Sequence, residues 1–211
     1  MPDMPDMPDT PSSFSARELE SYYRKEPETT KKAILAFLRD SQNPEMIVFG
    51  SQALNAHFPP WLDKETKDWD VVANVSSKES SEKLAHQLEQ KLDRHYGGDF
   101  FGVEPAIHEG TFRIRSKVTG VVVADVSLKD REIKFKRIQG INYASLEWLE
   151  WEAERLIASP DAEFRRAKDK DNLQRIKVYK RLKKRGRLGR SGGGDRYIDG
   201  SPVDTSMRGL R

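Results

Sequence analysis

The 211-residue chain contains no cysteine. That excludes a disulfide scaffold, a thiol nucleophile and a zinc site built on thiolates, and it fits a reducing compartment. Long apolar runs are missing too, so no segment is expected to span a membrane. The amino terminus lacks a basic stretch followed by an apolar one and does not read as a secretory leader. An intracellular protein, cytoplasmic or nuclear, is the expectation. Histidine is scarce, and His57, His86, His95 and His108 show neither metal-ligand spacing nor a serine partner. What the chain has in quantity is charge, 34% of its residues. Its length suits one domain with a core, with residues left over for tails.

Net charge is only +3, but it is unevenly placed. Thirteen Lys and Arg stand against two Asp between Arg165 and Arg190, a local +11, which leaves the remainder near −8 (3 − 11). A basic end on a mildly acidic body points to a polyanionic partner, most often nucleic acid.

Residues 1–13 repeat Met-Pro-Asp three times and read as a disordered tail. A domain is expected over 14–184, and a basic, Gly- and Arg-rich disordered tail over 185–211. Within the domain, a short helix over 14–24 precedes a firmer one beginning near Pro27. Met46–Phe49 reads as a buried strand ending at Gly50, Ser51–His57 as a helix, and 59–67 as a loop. A second strand runs from Asp68 to Val75. Ser76 or Ser77 caps a helix to about Tyr96, with Leu84, Leu88 and Leu92 four apart. A strand over 100–103 follows, and 111–116 and 121–126 form a hairpin. One more strand is expected over 133–138. Ser145 opens a helix with Leu146, Leu149 and Leu156 inward, and Pro160 opens a last long helix to about Lys184. This mixture, with a hairpin in the sheet, makes the chain α+β: a mixed sheet flanked by helices, with a helical carboxy-terminal part.

Three stretches carry chemistry. A strand entering Gly50-Ser51 and then a helix presents free N–H groups that suit a phosphate, although such junctions occur in most α/β proteins. Asp68 and Asp70 are two apart on a strand and share a face, with Trp69 and Val71 turned inward. Side by side they repel unless a cation lies between them. Asp125 follows four apolar positions on a strand where Asp is disfavoured, so its carboxylate needs a partner: a metal shared with Asp68 and Asp70, or an Arg. Three carboxylates beside a phosphate-binding turn fit two-metal nucleotidyl transfer, with Mg²⁺ as cofactor and NTP as substrate. Arg113 and Arg115 share a face of the Asp125 hairpin, where they contact either a phosphate or acceptor, or acidic neighbours on the sheet.

Gly50-Ser51, Asp68-Trp69-Asp70 and Asp125, in that order, resemble the polymerase-β-type nucleotidyltransferase superfamily. GSQALNAH followed by TKDWDVV resembles, more narrowly, its abortive-infection and toxin-type branch. That branch also has a late helix with Arg-x-Lys-Asp and a polar residue three further on, matched by Arg166, Lys168, Asp169 and Asn172. The resemblance covers about residues 45–177. It implies a small mixed sheet backed by helices, Mg²⁺ dependence, and transfer of a nucleotide to RNA, protein or a small molecule. It also implies that Lys168 reaches the triphosphate and Asp169 orients it. Three departures stand out. Trp151-Glu152-Ala153 occupies the place where relatives often carry a Lys, Asn172 (with Asp171 beside it) stands for a second Asp, and the loop before Asp68 is rich in Pro.

The basic stretch supplies nine more candidates: Arg175, Lys177, Lys180, Arg181, Lys183, Lys184, Arg185, Arg187 and Arg190. The helix dipole accounts for only a few of them, and binding of a phosphate backbone accounts for the rest. Nuclear targeting is a further reading of the same residues. Trp148 and Trp151, three apart on one helix, serve packing, base stacking or a protein partner. The functional expectation is therefore an Mg²⁺-dependent nucleotidyltransferase acting on RNA or a protein, with a basic arm that recruits nucleic acid. The alternative is an inactive transferase fold that binds or compacts nucleic acid. An accessory or antitoxin-like interaction module is the third.

Overall fold

The computed structural model describes residues 14–26, 28–66, 68–129 and 131–186. The expected tail over 1–13, Pro27, and the tail from 187 onward with Arg187 and Arg190 lie outside the described residues. Six α-helices and seven strands are described: α1 (Ala16–Tyr23), α2 (Glu28–Leu38), β1 (Met46–Phe49), α3 (Gly50–His57), β2 (Trp69–Ala73), α4 (Lys78–Tyr96), β3 (Phe101–Pro105), β4 (Thr111–Ser116), β5 (Val122–Leu128), β6 (Phe135–Ile138), β7 (Ile141–Ala144), α5 (Leu146–Ala158) and α6 (Arg166–Lys184). Short 3₁₀ turns lie at Pro60–Leu62 and Pro160–Arg165.

The strands form one mixed sheet in the order β3-β4-β5-β2-β1-β7-β6. β2 runs parallel to β5, and β1 parallel to β7, while the remaining neighbours are antiparallel. Strand alternation sorts the two faces. Phe112, Ile114, Ala124 and Val126 are buried, and between them Arg113 and Asp125 are not. α4 lies against β3, β4 and β5 with Leu84, Leu88 and Leu92 buried, and α2 packs on α4. α5 and α6 pack on each other and on α3. One continuous apolar core links these layers.

Local chemistry sets the element ends. Ser77 caps α4 by accepting from the Ser80 N–H, and Gly97 ends it in the left-handed conformation at φ 80°. Ser145 caps α5 by accepting from the Trp148 N–H at 3.2 Å. Asp93, near the end of α4, accepts the N–H groups of Phe100 at 2.8 Å and Phe101 at 3.0 Å, which fixes the entry to β3.

The sequence expectation departs from this in three places. The strand expected over 133–138 is a hairpin, β6 and β7, closed by Gln139 at φ 50° and Gly140 at φ 81°. The last helix does not start at Pro160. The 3₁₀ turn bends at Ala162 (φ −103°, ψ 19°) before α6 begins at Arg166. Trp148 and Trp151 also part company: Trp148 is buried and Trp151 is 52% exposed. His57 is a core histidine, held at 2.9 Å to the Ala144 carbonyl oxygen. No helix among the described residues is long and apolar enough to cross a membrane.

Candidate active site

β1 delivers the chain to Gly50, which turns at φ +65° into α3. A Cβ there would lie 2.4 Å from Oδ2 of Asp70, so the carboxylate occupies the space that any side chain would fill. Asp70 is aligned with Phe49 across the β1–β2 ladder, which brings it to the mouth of that turn. Phe49 caps α3 without a side-chain hydrogen bond, so the first N–H groups of the helix meet no side-chain acceptor from their cap.

Register assembles the rest. In the parallel β2–β5 ladder Asp70 is aligned with Asp125. Asp125 is aligned with Arg113 on β4, and Arg113 with Glu104 on β3. Glu104, Arg113, Asp125 and Asp70 thus form one charged row across the sheet, with Asp68 just before β2. Arg113 Nε lies 3.2 Å from Asp125 Oδ1. Arg115 engages Glu104 more fully, with Nε at 3.0 Å and Nη2 at 2.7 Å from the same Oε1. Both arginines of the hairpin are therefore paired with acidic neighbours.

Asp70 has no such partner among the described residues. Its pKa is pushed up to about 6, first by burial and then by the charges of Asp68 and Asp125, while Lys168 and Arg165 pull the other way. No hydrogen bond among the described residues contributes to holding it ionised. A half-buried carboxylate without a hydrogen-bond donor, beside two further carboxylates, favours a nearby cation. The ligand atoms at hand are all carboxylate oxygens, a set that suits a hard divalent cation such as Mg²⁺. In residue type, Asp68, Asp70 and Asp125 suit such an ion. Their oxygens stand further apart than a closed cation cage requires. Among the described residues, the three carboxylates whose ligand atoms lie within 4.8 Å of one another are Glu89, Asp93 and Asp99, around the end of α4. In that group Asp93 is committed to backbone N–H groups and Asp99 to Lys117.

α5 and α6 roof the carboxylates. A cleft of about 130 Å³ lies between Gly50, Asp70, Trp148, Glu152, Lys168 and Asn172. Lys168 is exposed there and lowers the Asp70 pKa. Asp169 is turned inward, 2% exposed, where it receives Arg165 in a fork with Nε at 2.9 Å and Nη2 at 3.2 Å. It therefore holds Arg165 beside the site. Asn172 is buried, and its Oδ1 meets no donor. Glu152 receives Arg131 at 2.8 Å and Arg155 at 2.8 and 2.9 Å. Burial raises its pKa, but these two guanidinium groups outweigh burial and leave it below the ordinary carboxylate value.

Arg165 and Glu152 are site residues that the sequence did not lead us to expect. The signals that mark them are short-range pairings, Arg165 with Asp169 four residues on and Glu152 with Arg155 three residues on. The basic stretch divides. Lys177, Arg181, Lys183, Lys184 and Arg185 are exposed. Arg175 points inward: it donates to the Leu62 carbonyl at 2.7 and 3.2 Å and to Asn55 Oδ1 at 3.0 Å, and its guanidinium stacks 5.3 Å from the Phe58 ring centre. That corrects its place among the nucleic-acid contacts, because the guanidinium is committed to the loop before β2. Lys180 is paired with Glu150.

Residues 46–109 match the model of a family described as a domain of unknown function, DUF7277. Comparison with curated protein sequences finds no match. Among solved structures the chain resembles the Megavirus polyadenylate synthase, at 22% identity and TM-score 0.58, covering 86% of this chain. It spans 37% of the length of that enzyme. JHP933 from Helicobacter pylori is also similar (15% identity, TM-score 0.42, 82% of this chain and 78% of that one). So is an antigenic nucleotidyltransferase-like protein from Paracoccidioides brasiliensis (16% identity, TM-score 0.41, 72% of this chain and 76% of that one). With the sheet order, the Gly50 turn and the aligned carboxylates already in place, the match to the polyadenylate synthase identifies the architecture as the polymerase-β-type nucleotidyltransferase fold.

Proposed function

We propose that this protein is a metal-dependent nucleotidyltransferase that moves an NMP from an NTP to a hydroxyl of an RNA acceptor, the new bond to the α-phosphorus forming as the α–β phosphoanhydride bond breaks and pyrophosphate leaves. The carrying observation is the alignment of Asp70 with Asp125 beside the Gly50 turn, where Asp70 sits half-buried without a hydrogen-bond donor. The N–H groups at the start of α3 receive triphosphate oxygens, and Lys168 and Arg165 offset their charge. Asp68 and Asp70 anchor the nucleotide side, and Asp125 accepts the proton of the attacking hydroxyl. Asp68, Asp70 and Asp125 would hold Mg²⁺, which would supply Lewis-acid stabilisation of the transferring phosphoryl group. Exposed Arg181, Lys183, Lys184 and Arg185 at the end of α6 hold the acceptor backbone electrostatically, with little regard for sequence.

The test is transfer from each of the four labelled NTPs, with Mg²⁺, onto total RNA and onto the protein itself. Wild type is compared with Asp70→Asn and with the double variant Asp68→Ala/Asp70→Ala. Label that appears only with wild type supports the enzyme and names the nucleotide and acceptor class; label on the protein alone moves the acceptor from RNA to protein. A second reading, an inactive transferase fold used for nucleic-acid binding, is favoured by the engagement of Asp125 with Arg113. No label, together with equal salt-dependent RNA binding by wild type and Asp70→Asn, decides for it.

A further inference from the structure

We propose that Arg113 is an exchangeable counter-cation for Asp125: loading of a divalent cation at this carboxylate frees the guanidinium to grip a phosphate of the incoming acceptor. The inference rests on the metal-dependent reading above and names its acceptor as one that carries phosphate next to the reacting hydroxyl, the end of a nucleic-acid strand.

Two arginines on one strand make the case by contrast. Arg115 is committed, with two donors on Glu104 and a third on the Gly120 carbonyl. Arg113 makes one contact to Asp125, at 3.2 Å, longer than the ordinary charge-assisted bond of about 2.7–2.9 Å. Its side chain is 29% exposed, so water and solutes reach it. Asp125 stands between Arg113 on one side and, on the other, Asp70, a carboxylate with no hydrogen-bond donor. A divalent cation shared with Asp70 would repel the Arg113 guanidinium and compete with it for the Asp125 carboxylate, and the single long contact is what gives way.

Sheet order says where the released group stands. β4, with Arg113, lies on one side of Asp125 and Asp70, while the Gly50 turn at the end of β1 lies on the other. A nucleotide held at that turn and under Lys168 leaves the β4 side for the attacker, as in-line displacement requires. Arg113 then meets the acceptor and not the triphosphate. Cation binding and acceptor binding become linked, each strengthening the other.

The probe is Mn²⁺ alone, with binding to the full chain measured from free Mn²⁺ by electron paramagnetic resonance. Arg113→Gln is expected to bind Mn²⁺ roughly fivefold more tightly than wild type. Arg113→Lys should stay near wild type, and Asp125→Asn should cancel the gain. In the same buffers, Mn²⁺ should strengthen binding of a short single-stranded RNA to wild type more than to Arg113→Gln. Equal Mn²⁺ affinity in wild type and Arg113→Gln, with Asp70→Asn weakening both, overturns this inference and leaves the metal reading standing. Binding indifferent to Asp70→Asn and Asp125→Asn overturns both. Should Arg113→Gln fold poorly, the ¹⁵N-labelled wild type answers instead: the Arg113 Nε–H resonance is expected to move as Mg²⁺ saturates, and an unmoved resonance sinks the exchange.

Discussion

Asp70 lowers the stability of the fold that holds it. Its folded pKa of about 6 lies above the ordinary value of 3.8, so the native state holds its proton more tightly than the unfolded chain does. Stability from this group is fully present below pH 3.8 and is lost as pH rises through about 6. In EDTA, thermal unfolding of wild type should therefore lose on the order of 1–3 kcal/mol across that window relative to Asp70→Asn. Mg²⁺ at pH 7 should recover much of the difference in wild type and none in the variant. Gly50→Ala gives the second prediction at this scale. Alanine at φ +65° costs about 1 kcal/mol, and its methyl group would displace Asp70 Oδ2. Calorimetry should show a modest loss of Tm, and Mn²⁺ or ATP binding should fall at least tenfold. Gly50, Asp68, Asp70 and Asp125 were conspicuous as candidates in the sequence because a Gly after an apolar strand and an Asp inside one each break a local rule. Arg165 and Glu152 were not, because a charged residue on a charged helix breaks none until the helix is packed over the carboxylates.

At the scale of elements, α6 does two jobs. Its first turns carry Lys168 and the Arg165–Asp169 fork, and its middle pins the loop before β2. Arg175 holds the Leu62 carbonyl and Asn55, Asn55 exchanges hydrogen bonds with the backbone of Lys64, and Lys64 pairs with Asp171. Arg175→Met keeps the apolar stem but leaves the Leu62 carbonyl unsatisfied, a cost of about 1–3 kcal/mol. Chemical denaturation should report that loss. Hydrogen exchange should speed up across residues 58–66 before it does in α4. Periodicity read most elements but did not read β7. Four residues after Gln139-Gly140, one of them Asn142, are too few to establish a period, and the pairing partner β1 is nearly a hundred residues away. The basic run likewise hid Arg175, because only the fold turns that position toward Phe58 and Leu62.

Across the whole molecule, charge is segregated. The sheet face turned away from α4 carries the charged row with its three carboxylates Glu104, Asp125 and Asp70, while Arg181, Lys183, Lys184 and Arg185 crowd the end of α6. Replacing Arg181, Lys183 and Lys184 with Gln should weaken single-stranded RNA binding and lower the slope of log K against log salt by about 2. Fluorescence anisotropy across a salt series measures both, and an unchanged slope would remove this helix end from the interface. The α+β class and the hairpin were readable from the chain, because alternation in β4 and β5 is local, and the carboxylate trio was visible there as a candidate. That the trio meets a fourth charge, Arg113, and a fifth, Glu104, follows from a register that no single segment contains.

The register also governs how such a chain can diverge. Loops between strands absorb insertions, so the turn between β6 and β7 can lengthen with the chemistry untouched. β5 has no such latitude. Deleting one residue between Val122 and Asp125 would send the carboxylate through the sheet to face α4 and bring an apolar neighbour opposite Asp70, with the ladder hydrogen bonds intact. A folded, well-paired protein without its third carboxylate would result. Chemistry in this architecture is thus a matter of phase: a descendant can keep every strand and lose the reaction by counting wrong by one.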